Sequence, residues 1–151
     1  MEPSFITFSA VGVWFYSLNT HRYLYLLRND SKYPGAWGLP GGKVESGENL
    51  LSAIERECCE ELGFCPTIVK LLPIAQFTSG DNKFVYHTFF GLLDGEFIPN
   101  LNNEHLGYTW IDSSTMPTPL HPGLWTTVNL QEVKQKIQII ERLFVGGQTS
   151  Q

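Results

Sequence analysis

Residues 39–64, with the sequence LPGGKVESGENLLSAIERECCEELGF, constrain the fold of this chain more than any other stretch. A pair of glycines lies near the start of the stretch, and Gly63 lies near its end. Between them, apolar residues recur at spacings of three and four, which predicts one amphipathic helix. We expect Ser46 or Gly47 to cap the start of this helix and Gly63 to follow its end in the left-handed conformation.

Two sides of the predicted helix differ in chemistry. One side is apolar and is expected to be buried: Leu51, Ile54, Cys58 and Leu62. The neighbouring side is acidic, with the small Ala53 beside it: Glu57, Glu60 and Glu61. Carboxylates near a helix C-terminus are disfavoured by the helix dipole, and like charges at these spacings repel by about 0.2–0.5 kcal/mol per pair. A solvated acidic face is one interpretation, and a bound divalent cation that offsets both costs is the other.

The spacing of the whole stretch matches a known signature. Its fixed positions are all filled: Gly42, Glu48, Arg56, Glu57, Glu60, Glu61 and Gly63. The pattern resembles the Nudix box of the Nudix hydrolases, and residues 37–41 resemble the approach to the box in compact MutT-like members. Cys58 departs from the family pattern, because a bulkier aliphatic residue is usual at its position.

The resemblance implies both a fold and an activity. The fold would be α/β, an α/β/α sandwich around a mixed sheet. The activity would be metal-dependent cleavage of the phosphoanhydride bond in a nucleoside diphosphate linked to another group, such as a nucleoside triphosphate or a nucleotide sugar. The expected cofactor is Mg²⁺, with Mn²⁺ as the alternative. A non-catalytic Nudix module that senses a nucleotide is the second interpretation, and the complete box favours the enzyme.

The resemblance also implies roles for individual residues. Metal ligands would be oxygen donors of the box and of one later loop: the Gly41 carbonyl, Glu57, Glu60, Glu61 and Glu104. Arg56 would orient a neighbouring glutamate and complete the catalytic set, while Glu48 would brace the loop against the helix. An ordinary exposed loop residue is the alternative for Glu104. The substrate-binding set would comprise Arg28, which suits a diphosphate, together with Gly42 and, as a candidate stacking ring, Trp110. A surface charge is the alternative for Arg28, and Lys43 is a weaker candidate for the same role.

Aromatic residues outside the box offer candidate stacking surfaces for a base: Phe84, Tyr86, Phe89, Trp110 and Trp125. For each of them, packing in the core is the alternative, because aromatic side chains dominate cores. The remaining pattern predicts strands and a second helix in the following places: strands at 5–17, 23–27, 66–77 (interrupted near Pro73), 83–93 and 108–111, and a helix at 130–144.

Size and charge narrow the class of partner. A length of 151 residues predicts one domain, placed at 1–145 with a loose tail at 146–151. The net charge of −5 argues against non-specific binding to nucleic acid or to an anionic membrane, so a small nucleotide is the expected partner. An apolar run at 5–18 is too short to span a bilayer. The three cysteines are expected to be reduced thiols of a cytoplasmic protein. A homodimer is possible by analogy, since homodimers are common in the Nudix family.

Overall fold

The computed structural model describes residues 8–146 of the chain, and the side chains of residues 8–144. In that part of the chain, the regular elements follow one another in this order: β1 (Phe8–Ser17), β2 (Tyr23–Arg28), β3 (Trp37–Gly38), β4 (Gly41–Lys43), α1 (Leu50–Leu62), β5 (Lys70–Thr78), β6 (Phe84–Leu93), β7 (His105–Ile111), α2 (Pro122–Asn129), α3 (Gln131–Glu141) and a π-helical turn (Arg142–Gly146). The strands form one sheet in the order β3-β2-β1-β6-β5, with β4 also paired to β1 and β7 to β2.

The sheet is mixed, and its central strand is β1. Strands β1 and β6 run parallel over the whole length of β1, whereas the other pairs are antiparallel. Alternate residues of β1 point to opposite faces. Val13 and Phe15 pack in one core with α1, whereas Trp14 and Tyr16 pack in a second core with α2 and α3. Helices therefore cover both faces, and the predicted α/β/α sandwich around a mixed sheet is confirmed.

One edge of β1 is shared between two partners, which brings the glycines of the box against it. Strand β2 pairs with β1 at Tyr16 and Tyr23, while β4 pairs with it over residues 10–12. Gly41 lies in β4 with φ +151°, and a side chain there would collide with the backbone of Val11. Glycine is therefore required at position 41 for the start of the box to lie against the central strand.

Helix α1 differs in detail from its sequence prediction. Its N-cap is Asn49, whose side chain accepts a hydrogen bond from the Ser52 amide at 2.8 Å, so neither Ser46 nor Gly47 has that role. Gly63 follows the helix with φ +78°, as predicted. Leu51 was predicted to be buried and is 63% exposed, because the sheet covers the side of the helix that contains Ala53 instead.

Later elements also depart from the sequence prediction. Strand β5 begins at Lys70 rather than at residue 66, and a register shift between Pro73 and Ala75 accounts for the predicted interruption. Helix α2 was missed, although Pro122 at its first turn is a recognised helix-start signal. The predicted helix at 130–144 is divided into α3 and the π-helical turn. Residues 5–7 of the first predicted strand and 147–151 of the predicted tail lie outside the described residues.

The cysteines correct a further expectation. Cys59 and Cys65 are joined by a disulfide across the end of α1, and Cys58 is a buried free thiol. The prediction of three reduced thiols is therefore wrong for two of them. The adjacency of Cys58 and Cys59 hid the pairing, because the turn at Gly63 brings Cys65 back to the helix. No helix in the described residues has the length and apolarity needed to cross a membrane.

Candidate active site

Arg56, near the middle of α1, connects the helix to the loop that precedes it. Its Nε and Nη2 groups donate to the two carboxylate oxygens of Glu48 at 2.7 and 3.0 Å, and Nη2 also donates to the Lys43 carbonyl at 2.8 Å. Its Nη1 group donates to Glu57 at 2.9 Å. The bonds that Glu48 accepts from Arg56, with a further one from the Glu45 amide, lower the pKa of Glu48 to about 2. The bracing contacts predicted for Arg56 and Glu48 are thus present.

Glu61 is the buried carboxylate of the site, with only 3% of its surface exposed. The Gly41 amide donates to its Oε1 at 3.1 Å. Burial, the adjacent Glu57 carboxyl and the charge of Glu104 together raise the pKa of Glu61 well above its usual range. The metal role predicted for Gly41 involves its carbonyl, whereas the contact observed is made by its N–H group.

Gly42 allows Glu57 to approach strand β4. A Cβ atom at position 42 would lie 2.6 Å from the Glu57 carboxyl carbon, so any side chain there would displace the carboxylate. The structure therefore gives the half-buried Gly42 a role in positioning Glu57, and its role in substrate binding stays a prediction. Glu60 is more exposed than its neighbours, with 56% of its side chain accessible, and its nearest cation is Arg56 at 3.6 Å.

Glu104 lies immediately before β7, in a loop that is tied to the end of α1. The Asn102 side chain donates to the Glu60 carbonyl at 3.4 Å and to the Glu104 carboxylate at 3.3 Å. It also accepts a hydrogen bond from the Glu104 amide at 3.0 Å. Asn102 therefore holds the Glu104 carboxylate beside the end of α1, and the charge of Glu104 contributes to the raised pKa of Glu61. Sequence reasoning missed Asn102, for which the only signal was a polar turn residue two positions before an acidic one.

The donor chemistry of these residues fits a divalent cation. The half-buried Glu57 and the buried Glu61 lie together, and of the two only Glu57 contacts a cationic side chain, that of Arg56. A hard cation is the partner that such oxygen donors prefer. In residues 8–146, however, no three His, Cys, Asp or Glu side chains already surround a common point. The carboxylates are instead paired with Arg56 or with each other. Glu57, Glu61 and the neighbouring Glu60 and Glu104 would hold the ion.

Arg28, at the end of β2, is held in a small cluster beside the sheet. Its guanidinium donates to both carboxylate oxygens of Asp30, at 2.9 and 2.6 Å, and lies 5.5 Å from the centre of the Tyr33 ring. Tyr33 is 40% exposed and packs edge-on against His121, with ring centres 4.6 Å apart. Sequence reasoning assigned no role to Tyr33 or His121, because residues so far apart in sequence show no shared pattern.

Tyr86 connects the Arg28 cluster to the acidic residues. Burial and, to a smaller extent, the charge of Glu61 raise the pKa of Tyr86 to about 12, against an opposing effect of the Arg28 charge. Its hydroxyl lies where a side chain at position 12 would point, so Gly12 makes room for it. Tyr86 therefore lies close to both Glu61 and Arg28.

Trp110 requires a correction. It is 8% exposed, its Nε1 donates to the Phe97 carbonyl at 3.1 Å, and its ring meets that of Phe97 edge-on at 5.3 Å. It belongs to the core on the α1 side, so its ring is not available to bind substrate. Phe89 packs in the same core, whereas Trp125 on α2 is 58% exposed.

Comparisons with known proteins agree with this geometry. A family model described as the NUDIX domain matches residues 7–130. Nucleoside triphosphatase NudI of Escherichia coli O139:H28 is 30% identical over 89 residues, which are 52% of this chain and 63% of that protein. A putative 8-oxo-dGTP diphosphatase of Bacillus subtilis is 28% identical over 62% of this chain and 61% of its own length. The chain thus matches less than two thirds of either relative.

A solved structure supports the fold independently. The crystal structure of a MutT NUDIX hydrolase from Burkholderia pseudomallei aligns with 84% of this chain and 97% of its own, with a TM-score of 0.63. At 22% identity, this likeness shows the shared fold alone.

Proposed function

The chain belongs to the NUDIX domain family, and we propose that it is a metal-dependent pyrophosphohydrolase that cleaves a phosphoanhydride bond of a nucleoside triphosphate. The observation on which this proposal rests is the buried Glu61 carboxylate beside Glu57, with Glu104 nearby. Two carboxyl groups held together in a largely buried place are costly when both are ionised, since Arg56 contacts only Glu57, and such an arrangement is a mark of a functional site. We further propose that residues 1–145 form the single catalytic domain.

We assign the cation, Mg²⁺ or Mn²⁺, to Glu57, Glu60, Glu61 and Glu104, with the Gly41 carbonyl as a further donor. When bound, such an ion stabilises the negative charge of the reacting phosphates and lowers the pKa of water. The oxygen of a water molecule attacks phosphorus, the bridging P–O bond breaks, and the released phosphate keeps the bonding electron pair. One carboxylate of the set accepts the proton of the attacking water.

Arg56 keeps Glu57 in position for this reaction. Its Nη1 donates to Glu57 while Nε and Nη2 are fixed by Glu48, so the guanidinium cannot turn away from the site without losing several charge-assisted bonds. In our proposal Arg56 is a positioning residue, since it acts on the reacting groups through Glu57.

We place the rest of the substrate along the cluster of Arg28, Tyr33 and His121. Asp30 engages Nε and Nη2 of Arg28, so Nη1 has no hydrogen bond among the described residues and can donate to a phosphate. The half-exposed Tyr33 ring offers a face on which a base can stack. Tyr86 lies near both Arg28 and Glu61, which supports one continuous site. The names of the two relatives favour a triphosphate over a nucleotide sugar.

The test is product release from a panel of nucleotides, with Mg²⁺, with Mn²⁺ and with EDTA. The panel contains ordinary and 8-oxo nucleoside triphosphates, ADP-ribose, nucleotide sugars and dinucleoside polyphosphates. We expect metal-dependent release of pyrophosphate or phosphate from a triphosphate. Binding of a nucleotide without cleavage of any would favour the non-catalytic sensor instead.

A matched pair of variants separates the site from the rest of the helix. Glu61→Gln removes the buried carboxylate, whereas Glu55→Gln makes the same change at an exposed position of α1. We expect Glu61→Gln to lose turnover and Glu55→Gln to keep it. Equal activity of the two variants would contradict the proposed mechanism.

A further inference from the structure

Three hydrogen bonds fix the position of His121, the residue that caps the start of helix α2. Its backbone amide donates to the Trp37 carbonyl of β3 at 2.8 Å, and its carbonyl accepts from the Trp125 amide at 2.9 Å. Its ring atom Nδ1 accepts a hydrogen bond from the Gly123 amide at 3.0 Å. The residue therefore connects the edge of the sheet to the first turn of α2, and its ring can turn only by breaking the bond from Gly123.

The bond from Gly123 determines which ring nitrogen of His121 carries the proton. A backbone amide is always the donor, so Nδ1 is the acceptor and has no proton while this bond exists. Burial and then the charge of Arg28 lower the pKa of His121, against an opposing effect of Asp30, so the ring is neutral at neutral pH. A neutral imidazole has one protonated nitrogen, which here is Nε2. Nε2 is thus a hydrogen-bond donor in a fixed tautomer.

The Nε2–H group of His121 donates to no acceptor in the part of the chain that the structure describes. It is also accessible, since the one enclosed side-chain nitrogen or oxygen without a partner in that part is Nδ1 of His105. Serine, threonine, aspartate and asparagine are the usual residues at the start of a helix, because their side chains supply the acceptor. Histidine supplies the same acceptor together with a donor that the helix does not use.

The ring of His121 lies among the residues to which we assign the substrate. It meets the Tyr33 ring edge-on, with centres 4.6 Å apart, and the guanidinium carbon of Arg28 lies 5.5 Å from the centre of the same Tyr33 ring. Arg28 and His121 also approach a common point, because a Cβ atom at Gly38 would lie 3.4 Å from Arg28 Cδ and 3.9 Å from His121 Cβ. Two unused donors, Nη1 of Arg28 and Nε2 of His121, therefore belong to one patch of the surface.

This patch adjoins the acidic residues of the candidate active site. Arg28 is paired with His105 across strands β2 and β7, and the Asn29 amide donates to the Glu104 carbonyl at 2.9 Å. The Glu104 side chain is in turn tied to the end of α1 through Asn102. A chain of phosphates that begins at these carboxylates can therefore extend to Arg28 and to the ring beside it.

The chemistry of the two donors selects the group that they bind. Arg28 and Asp30 are the charged residues that act on the His121 ring, and they form an ion pair, so an anion is held here by directed hydrogen bonds more than by net charge. A phosphate presents several non-bridging oxygens, which match an arginine N–H group and a neutral N–H group side by side. The carbonyl of a base needs only one of these donors and would leave the other without an acceptor.

We propose that His121 is a substrate-binding residue whose Nε2–H group donates to a non-bridging phosphate oxygen of the nucleotide, beside the oxygen that Arg28 binds. The identity of the nucleotide rests on the proposed hydrolase function, whereas the phosphate contact would also serve a module that binds nucleotides without cleaving them. His121 then has two roles, as the acceptor that caps α2 and as a donor to the substrate. Its fixed tautomer makes the two roles compatible.

Two substitutions separate the functions of the two ring nitrogens. Asparagine places an amide oxygen at the position of Nδ1, whereas glutamine places an amide nitrogen near the position of Nε2. His121→Asn therefore keeps the helix cap and loses the outer donor, and His121→Gln keeps the donor and loses the cap. His21→Asn is the matched control, because His21 is exposed, lies between β1 and β2, and has φ +59°, a conformation that asparagine adopts readily.

The test is calorimetric binding of imidodiphosphate, whose P–N–P bridge resists hydrolysis, to the full chain with Mg²⁺. We expect one saturable site in the parent chain and about tenfold weaker binding in His121→Asn, as for the loss of one hydrogen bond to a charged acceptor. His121→Gln and His21→Asn should bind like the parent, and thermal melting should show a lower Tm in His121→Gln alone.

Three results would overturn the proposal. The first is an absence of saturable binding of imidodiphosphate to the parent chain, and the second is parent-like binding by His121→Asn. The third is equal weakening in His121→Asn and His121→Gln, which would show that the ring acts through the start of α2 and not through its Nε2–H group.

Nitrogen-15 NMR of the histidine rings checks the tautomer directly. We expect Nδ1 of His121 to be unprotonated and Nε2 to be protonated at neutral pH, and the Nε2 signal to shift when imidodiphosphate is added. The opposite tautomer would contradict the proposal. Steady-state kinetics identifies the group that is bound, because loss of a phosphate contact in His121→Asn raises the KM of every triphosphate by a similar factor. An increase confined to one base would place the contact on the base instead.

Failure of this inference and failure of the proposed hydrolase function give different results. Weaker imidodiphosphate binding by His121→Asn, without hydrolysis of any nucleotide by the parent chain, would support the phosphate contact and refute the hydrolase. Hydrolysis by the parent chain, with imidodiphosphate binding that does not depend on His121, would support the hydrolase and refute the contact.

Discussion

The two halves of the Nudix box are stabilised in opposite ways. In the first half, Glu48 and the Lys43 carbonyl receive hydrogen bonds from Arg56, and the charges are paired at the surface. In the second half, Glu57 and Glu61 lie together in a largely buried place, with Glu104 close by. The same motif thus contains an ion-pair network around Arg56, which includes Glu57, and on the other side of Glu57 a buried carboxyl group, Glu61, whose ionisation is unfavourable.

This difference distinguishes residues that stabilise the structure from residues whose arrangement is favourable only when a ligand is bound. An ion-pair network at the surface stabilises the folded protein without any ligand, although each exposed pair contributes modestly. Ionisation of a buried carboxyl group such as Glu61 destabilises the folded protein. The side chain keeps its position because the surrounding core and the Gly41 amide hold it there. Natural sequences keep such local conflicts mainly where function requires them.

The largest expected effect is that of Glu61→Gln on turnover. The glutamine keeps the shape of the side chain and the bond from Gly41, but it removes the negative charge. Since that charge is proposed to hold the cation or to accept the water proton, we expect kcat/KM to fall by roughly 10²–10⁴-fold. Steady-state kinetics at saturating Mg²⁺ measures this loss. A decrease equal to that of Glu55→Gln would remove the distinction between the two halves.

The next effect is that of Arg56→Lys, which addresses the connection between the halves. Lysine keeps the charge but cannot donate to Glu48, Glu57 and the Lys43 carbonyl together. Because outer residues that orient metal ligands typically contribute 10–100-fold, we expect kcat/KM to fall by about that factor. Glu48→Gln is the matched variant, since it weakens the same network from its other side. If both variants retained full turnover, the network would be structural only.

The sequence predicted the helix of the box and the main strands of the sheet well, because local patterns determine them. The helix of the box, Gly63 at its end and the strands that became β1, β2 and β6 all follow from short-range spacing. Leu51 was wrongly predicted to be buried. A helical wheel shows that one side of the helix is apolar, but it does not show which edge of that side the sheet covers. Helix α2 was missed, since its few turns contain no long apolar repeat.

The candidate site was predicted less completely, because it combines residues that are distant in sequence. The box supplied Arg56, Glu57 and Glu61, but nothing in the order of residues shows that Tyr86 lies beside Glu61 or that Tyr33 meets His121. Trp110 was chosen for its chemistry, and its burial against Phe97 depends on the packing of the whole core. Each of these contacts joins residues that are distant in sequence, so no local pattern encodes it.

A third prediction concerns the pH dependence of stability in the metal-free protein. The pKa of Glu61 is raised in the folded state, so the folded protein binds this proton more tightly than the unfolded chain does. The resulting stability is complete below the unfolded pKa of about 4.3 and is lost progressively as pH rises toward the folded pKa. Thermal melts in EDTA should therefore show Tm falling across this window, and Glu61→Gln should remove the fall.

The control for that experiment is the first half of the box, where the sign is opposite. The pKa of Glu48 is lowered to about 2, so its contribution is present above the unfolded pKa and is lost as pH falls toward 2. Glu48→Gln should flatten only this acidic side of the profile. A metal-free Tm that rose from pH 5 to pH 8 in the parent chain would contradict the buried, repelling arrangement of Glu61.

The smallest effect on turnover is expected at the disulfide that closes the end of the box. Cys59 and Cys65 are six positions apart, and a loop of this length gives about 2 kcal/mol of stabilisation by the chain-entropy model. Glu61 is fixed by Gly41 and the core rather than by this loop. We therefore expect Cys65→Ser to lower the free energy of unfolding while leaving kcat/KM unchanged. The parent chain treated with dithiothreitol should unfold like the variant. A loss of turnover in Cys65→Ser would mean that the carboxylates depend on this closure and not on the strand beneath them.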